Sequence, residues 1–246
     1  MRFRTTVGLT LLLFLLAAVF ARLGAWQLAR MTEKEQLFAR FENAPQLTLG
    51  EAIDSQAQFA RVRAWGRFDT RRHLLLDNRI HQGRAGVHVL TPFYTSDGHT
   101  VLVNRGWLPL AADRRALPQV PTDGAPREIS GRLSRLESAG PRLGEADRLR
   151  PDTWPQLVTW LDHAPVAHAL GEDLEHWIIL LDATQADGFA ARDWQPATMA
   201  PATHGAYALQ WFSLATAAVV IWLLLGFRQG GRNRRENGIN MEKPDA

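Results

Sequence analysis

The chain has 246 residues, a formal net charge of +3, a pI near 9.9 and no cysteine. The missing thiols exclude disulfides, thiolate metal sites, C-x-x-C redox chemistry, covalent c-type haem attachment and cysteine nucleophiles. Of the 28 basic residues only Lys34 and Lys243 are lysines; the arginines are dispersed, and no zinc-finger, RRM or helix-turn-helix spacing accompanies them, so nucleic-acid binding is set aside.

In chain order, Arg2 and Arg4 precede an apolar run from Val7 to Ala21. Arg22 interrupts it, but the helical pattern continues through "LGAWQLARMTEKEQLFARFEN". With Arg22 snorkelling at the outer boundary and Trp26 in the aromatic belt, residues 7–28 are predicted to form a transmembrane helix. The alternative is a cleaved signal peptide, for which "AVFA" before Arg22 imitates the small-residue site. Unbroken helical character as far as the polar Glu33 and Lys34 favours an anchor.

The middle of the chain reads as strands. Short apolar or alternating runs at 60–68, 73–80, 86–94, 100–110, 127–133, 155–162 and 175–183 are bounded by Gly, Pro, Asp or Asn. "TSDGHT" between the third and fourth is a hairpin signal. A short helix is predicted at 162–171, and irregular segments at 118–126 and 138–155. The second apolar run, Tyr207 to Phe227, has only Gln210, Ser213 and Thr216 polar among its 21 residues and predicts a transmembrane helix over 206–227.

Arg228, Arg232, Arg234 and Arg235 follow that run with no acid until Glu236. Positive charge at both outer ends predicts cytoplasmic segments at 1–6 and 228–246 and an extracytoplasmic domain at 29–203. In a bacterium this is the inner membrane with a periplasmic domain. The fold class expected is therefore an α+β membrane protein, in which two transmembrane helices flank a mostly antiparallel β domain, barrel- or sandwich-like.

Enzyme signatures are missing: there is no G-x-S-x-G, H-E-x-x-H, Walker loop or G-x-G-x-x-G. No catalytic residue is assigned, and the chain is expected not to be an enzyme. His163 and His168 are five apart, which does not stack two rings on one helical face, and His73, His81, His88 and His99 have no partner spacing. Two similar pieces, "LLLDNRIHQGRAGVHVLTPF" and "VLVNRGWLP", end apolar strands with Asn-Arg, so Arg79 and Arg105 are expected where a strand meets a turn, beside Gly83, Gly86 and Gly106. Each arginine could pair with a carboxylate of the fold or recognise an anionic group.

Taken together, "GAWQLAR" with Glu33 and Lys34 beyond it, "DNR", "GRAGVHVLTPF", "VLVNRGW" and "HGAYALQWF" resemble the surfeit locus protein 1 family of cytochrome c oxidase assembly factors. The resemblance runs from the first anchor to the second, with little contribution from residues 110–170. It implies a chaperone-like role in maturing subunit I of haem-copper (aa3-type) oxidases, with haem a as a transiently bound cofactor. Subunit I and haem a synthase are the implied partners, alongside membrane lipid.

By that resemblance His204 matches the histidine at the start of the second span, an axial ligand for haem iron. The family's commoner "NNHLxYA" reads "ATHGAYA" here, so the asparagines that could orient the ring are missing. Haem a needs lipid-like contact, cations at the water boundary and one axial ligand. Trp211, Trp26, Arg22 and Arg30, at the outer ends of the two anchors, are the candidates to complete such a site with His204. The alternative is a scaffold that binds no haem and stabilises oxidase assembly intermediates through its helices and β domain, with Gly24, Ala25, Gly205 and Ala206 allowing close helix contact.

Overall fold

The computed structural model describes residues 5–114, 116–136, 148–196 and 198–240. Arg2, Arg4, most of the irregular segment predicted at 138–155 and the last six residues lie outside that range. The chain divides into two compact units: Met1–Ala39 with Pro196–Ala246, and Arg40–Gln195.

The first unit is a pair of long helices, α1 (Val7–Glu42) and α4 (Pro201–Asn240), both long and apolar enough to cross a membrane. At 1.5 Å per residue the 36 residues of α1 extend about 54 Å, well beyond ~30 Å of hydrocarbon, and the helix passes the "AVFA" stretch without a break. Contacts between the helices fix their direction. Phe20 stacks on Trp211, Phe14 packs edge-on against Trp222, and Trp222 Nε1 donates to Thr10 Oγ1. Rising numbers on α1 meet falling numbers on α4, so the helices run antiparallel. On α1 the facing positions Phe20, Gly24, Gln27 and Met31 recur every 3.5 residues, the spacing of a helix–helix seam. Leu11, Leu15, Leu209 and Leu224 stay exposed on the outside, as lipid-facing positions do.

The second unit is a β domain. After β1 (Gln46–Thr48) and α2 (Leu49–Asp54), which the sequence did not signal, come β2 (Arg61–Phe68), β3 (Leu74–His81), β4 (Arg84–Thr95), β5 (Thr100–Pro109), β6 (Arg127–Arg135), β7 (Gln156–Val158), α3 (His163–Leu170) and β8 (Leu174–Leu181). One sheet has the order β1-β2-β6-β8-β5-β4-β3-β7, and a further pairing of β2 with β4 joins it back on itself. β2, β6, β8, β5 and β4 therefore close a five-stranded barrel, as in small barrels that abolish their edges. The barrel's pairings are antiparallel except β5 with β8; the short flanking strands β1 and β7 also pair in parallel.

Alternation along β2 shows how the sequence specifies this closure. Val62, Ala64 and Phe68 face inward, while Arg61, Arg63, Trp65 and Arg67 face out. Gly66 occupies the remaining inward position. A Cβ there would stand 2.2 Å from the Tyr94 carbonyl oxygen, so only glycine lets β2 meet β4. The barrel is filled by Val62, Phe68, Phe93, Val103, Ile129, Leu133 and Ile179, with Leu49 and Ala52 of α2 packed against them. α2 is held by a capping box in which Thr48 and Glu51 satisfy each other's backbone amides. A second cluster, including Leu74, Leu90, Leu102 and Leu170, fills the space under α3, so β4 and β5 are buried on both faces.

β4 has bulges on both sides. Against β3, Leu76 pairs with His88 and Arg79 with Gly86, leaving one extra residue on β3, where Asn78 has φ of 59°. Against β5, His88 pairs with Trp107 and Leu90 with Asn104, leaving one extra residue on β5 beside Gly106 at φ of 105°. This corrects one expectation. Arg79 and Arg105 lie inside continuing strands, because a left-handed residue absorbs the bulge without ending the ladder.

Candidate functional site

The end of the helix pair where the C-terminal half of α1 meets the start of α4 carries the sequence-predicted residues. His204, one turn into α4, is half-buried, and its Nδ1 lies 2.8 Å from the Gln27 side-chain oxygen on α1. An amide oxygen only accepts, so Nδ1 carries a proton, and in the neutral ring Nε2 keeps its lone pair. Gln27 thus supplies the orientation that asparagines beside His204 would have supplied, and supplies it from the other helix. Nothing in the apolar pattern of α1 marked Gln27; its 3.5-residue relation to Phe20, Gly24 and Met31 is the signal that could have found it.

Around this bond the two helices approach closely. A Cβ on Gly24 would stand 2.8 Å from the Phe212 ring, and one on Gly205 would stand 3.1 Å from Met31 Sδ. About two turns beyond His204, Trp211 stacks on Phe20 with ring centroids 5.8 Å apart. His204 and Trp211 therefore both meet α1. Arg22 and Trp26 do not join them: successive residues turn by about 100°, which puts both on the side of α1 opposite Gly24, and both are exposed. Arg30 is held at 2.5 Å by Glu33, one turn along its own helix. A neutral imidazole with its proton fixed on one nitrogen is a competent axial ligand for iron through the other.

In the β domain the two arginines of the repeated Asn-Arg pieces behave differently. Arg105 is 2% exposed, and each of its guanidinium nitrogens has an acceptor. Its guanidinium donates to the carbonyls of Asp187 (2.8 Å) and Pro121 (3.2 Å) and to Thr122 Oγ1 (2.6 Å), and it lies against the rings of Phe68 and Phe189. Burial pushes its pKa down to about 10. Arg72 is likewise structural, bridging Asp69 (2.7 Å) and Glu172 (3.0 Å), which ties the β2–β3 connection to the α3–β8 turn. His73 is buried with its Nδ1 3.0 Å from Thr91 Oγ1, and burial together with the Arg105 charge lowers its pKa to about 4. Among the described residues no group of three or more His, Asp and Glu side chains could hold a metal ion.

Comparison with known proteins matches the family model described as the SURF1 family over residues 14–216, from inside α1 to inside α4. The chain belongs to the SURF1 family. Its SURF1 relatives reach from bacteria to animals. A SURF1-like protein of Rickettsia felis is 26% identical over 214 residues, 84% of this chain and 91% of the relative. One from Monosiga brevicollis is 28% identical over 234 residues, covering 86% and 85%. Surfeit locus protein 1 of Xenopus tropicalis is 26% identical over 243 residues, covering 88% and 75%. The SURF1 match thus includes both Gln27 and His204, the two partners of the inter-helix hydrogen bond.

Proposed function

We propose that the protein is an assembly factor for a haem-copper cytochrome c oxidase and that its helix pair holds haem a for insertion into subunit I. The observation that carries this reading is the hydrogen bond from His204 Nδ1 to Gln27, which leaves Nε2 available to ligate iron. Haem a is cargo in this scheme, and a single axial histidine suits a carrier because affinity must stay finite for delivery. Trp211 offers an aromatic surface on the same side of α4 as His204. Arg22 and Trp26 act at the water boundary of α1, away from the His204 face, as snorkelling and interfacial anchors, and Arg30 acts at the same boundary. The protein transforms no substrate, and its β domain faces the periplasm with both termini in the cytoplasm.

The close packing at Gly24 and Gly205 favours a second reading, a scaffold whose helices stabilise assembly intermediates without haem. One experiment separates the two. The full chain is purified in mild detergent from haem-a-producing cells, and visible spectra are recorded for wild type, His204→Ala and Gln27→Leu. Haem transport requires bound pigment in wild type, its loss in His204→Ala at unchanged folding, and affinity lowered by about 10- to 100-fold in Gln27→Leu. A colourless wild type supports the scaffold.

A further inference from the structure

The bulges on either side of His88 raise a question that the helix pair does not answer. Bulges re-aim side chains, and here they send Arg79 and Arg105 to opposite fates. Every nitrogen of the Arg105 guanidinium has an acceptor. The Arg79 side chain makes no hydrogen bond or ion pair with any described residue, although its Nε is enclosed. Burial alone pushes its pKa below the usual arginine value, because no described acid offsets the desolvation.

The surroundings of Arg79 are ordered for a ligand. Trp107 donates its indole N–H to the Arg79 carbonyl at 3.0 Å, and its ring fills the space over Gly86, where a Cβ would stand 2.3 Å from it. The Asn104 side-chain oxygen accepts from the Gly106 N–H at 3.1 Å, so its amide nitrogen is the group that donates to His88 Nδ1 at 3.3 Å. The His88 proton therefore sits on Nε2, which is a donor. Burial and the Arg79 charge lower the His88 pKa to about 4, so the ring is neutral at pH 7. Trp194 meets His88 edge-on at 5.6 Å, and His81 packs on Trp107 at 5.3 Å.

The geometry points to a carboxylate-binding site in the bulged region of β3, β4 and β5, in which the free Arg79 guanidinium grips both oxygens and the His88 Nε2–H supplies a further donor, beside the rings of Trp107 and Trp194. A planar guanidinium matches a carboxylate bidentately. A single free cation assisted by a neutral donor fits a monoanion better than a phosphate dianion. The carboxylate belongs either to a free small acid or to an Asp or Glu side chain of a protein partner, and both present the same chemistry to Arg79. This inference is independent of haem binding.

The test is thermal unfolding of the detergent-solubilised full chain, followed by β-sheet circular dichroism, at constant ionic strength with chloride progressively replaced. The probes are acetate, benzoate, the capped residue N-acetyl-glutamate N-methylamide, and sulfate. Carboxylates are expected to raise Tm by a few degrees over chloride at saturation, with sulfate weaker. Arg79→Gln removes that rise and Arg79→Lys reduces it, whereas Arg84→Gln, an exposed arginine on the same hairpin, leaves it intact. Benzoate binding tightest identifies a free aromatic acid; the capped glutamate binding tightest identifies a partner's side chain. Arg79→Gln should also equal or exceed the wild-type Tm in chloride, since it removes a half-buried charge that has no partner among the described residues. An identical carboxylate response in wild type and Arg79→Gln, no response above chloride, or a lower Tm for Arg79→Gln in chloride would each overturn the site.

Discussion

Arg79 and Arg105 stand in nearly the same local sequence, Asn-Arg after an apolar run, and only their surroundings separate them. Arg105 has two carbonyls, two threonine hydroxyls and two aromatic faces around its guanidinium, and among the described residues no direct carboxylate. Arg105→Met would leave those acceptors enclosed and unpaired, and should destabilise the β domain by about 2–4 kcal/mol, read as a lower midpoint in urea with an unchanged slope. A loss below ~0.5 kcal/mol would show that those acceptors reach water without the guanidinium. Gln27 makes the same point within the helix pair. A polar residue in an apolar run looks like an imperfection until the opposite helix brings His204 to it.

Among the elements, β2 was the most legible. Its strict inside–outside alternation is written in "RVRAWGRF", and the predicted strand differs from the observed one by a single residue. β3, β4, β5, β6 and β8 were each legible as strands for the same reason, apolar runs of strand length between turn residues. β1 and α2 were not, because three residues and six residues carry too little periodicity to register. Pairing was not legible either. That β2 turns back to meet β4 depends on Gly66, whose significance emerges only against the Tyr94 carbonyl. Gly66→Val should prevent that approach and cost more than about 3 kcal/mol, seen as loss of the cooperative β-sheet melting transition, whereas Gly83→Ala on the open β3–β4 turn should cost only the strain of its positive φ, about 1 kcal/mol.

For the whole molecule, one buried and one half-buried imidazole tie the β domain's stability to pH. His73 and His88 are both held neutral when folded, with pKa values near 4 against an ordinary value of 6.5. Between these values the unfolded chain binds protons that the folded chain does not, so their contribution is fully present above pH 6.5 and is lost as pH falls towards 4. Each ring should remove on the order of 1–3 kcal/mol over that window, and His73→Gln with His88→Gln should flatten the denaturant-measured profile. Topology is tested separately. Protease added to intact spheroplasts should cleave within residues 40–195 and leave that unit protected in inverted vesicles; the reverse pattern would invert the proposed orientation.

What the sequence by itself determined are the features written into short windows: two runs long enough to cross a membrane, strands marked by alternation and turn residues, and a family likeness carried by five spaced motifs. These are legible because hydrophobic period and length act locally. Tertiary structure alone decided which residues meet across sequence distance: the closure of β2 on β4, the Gln27–His204 bond, and the contrast between an occupied Arg105 and a free Arg79. A hydrogen bond or close approach between residues far apart in the chain depends on where two backbones are held, and no single stretch of sequence contains that information.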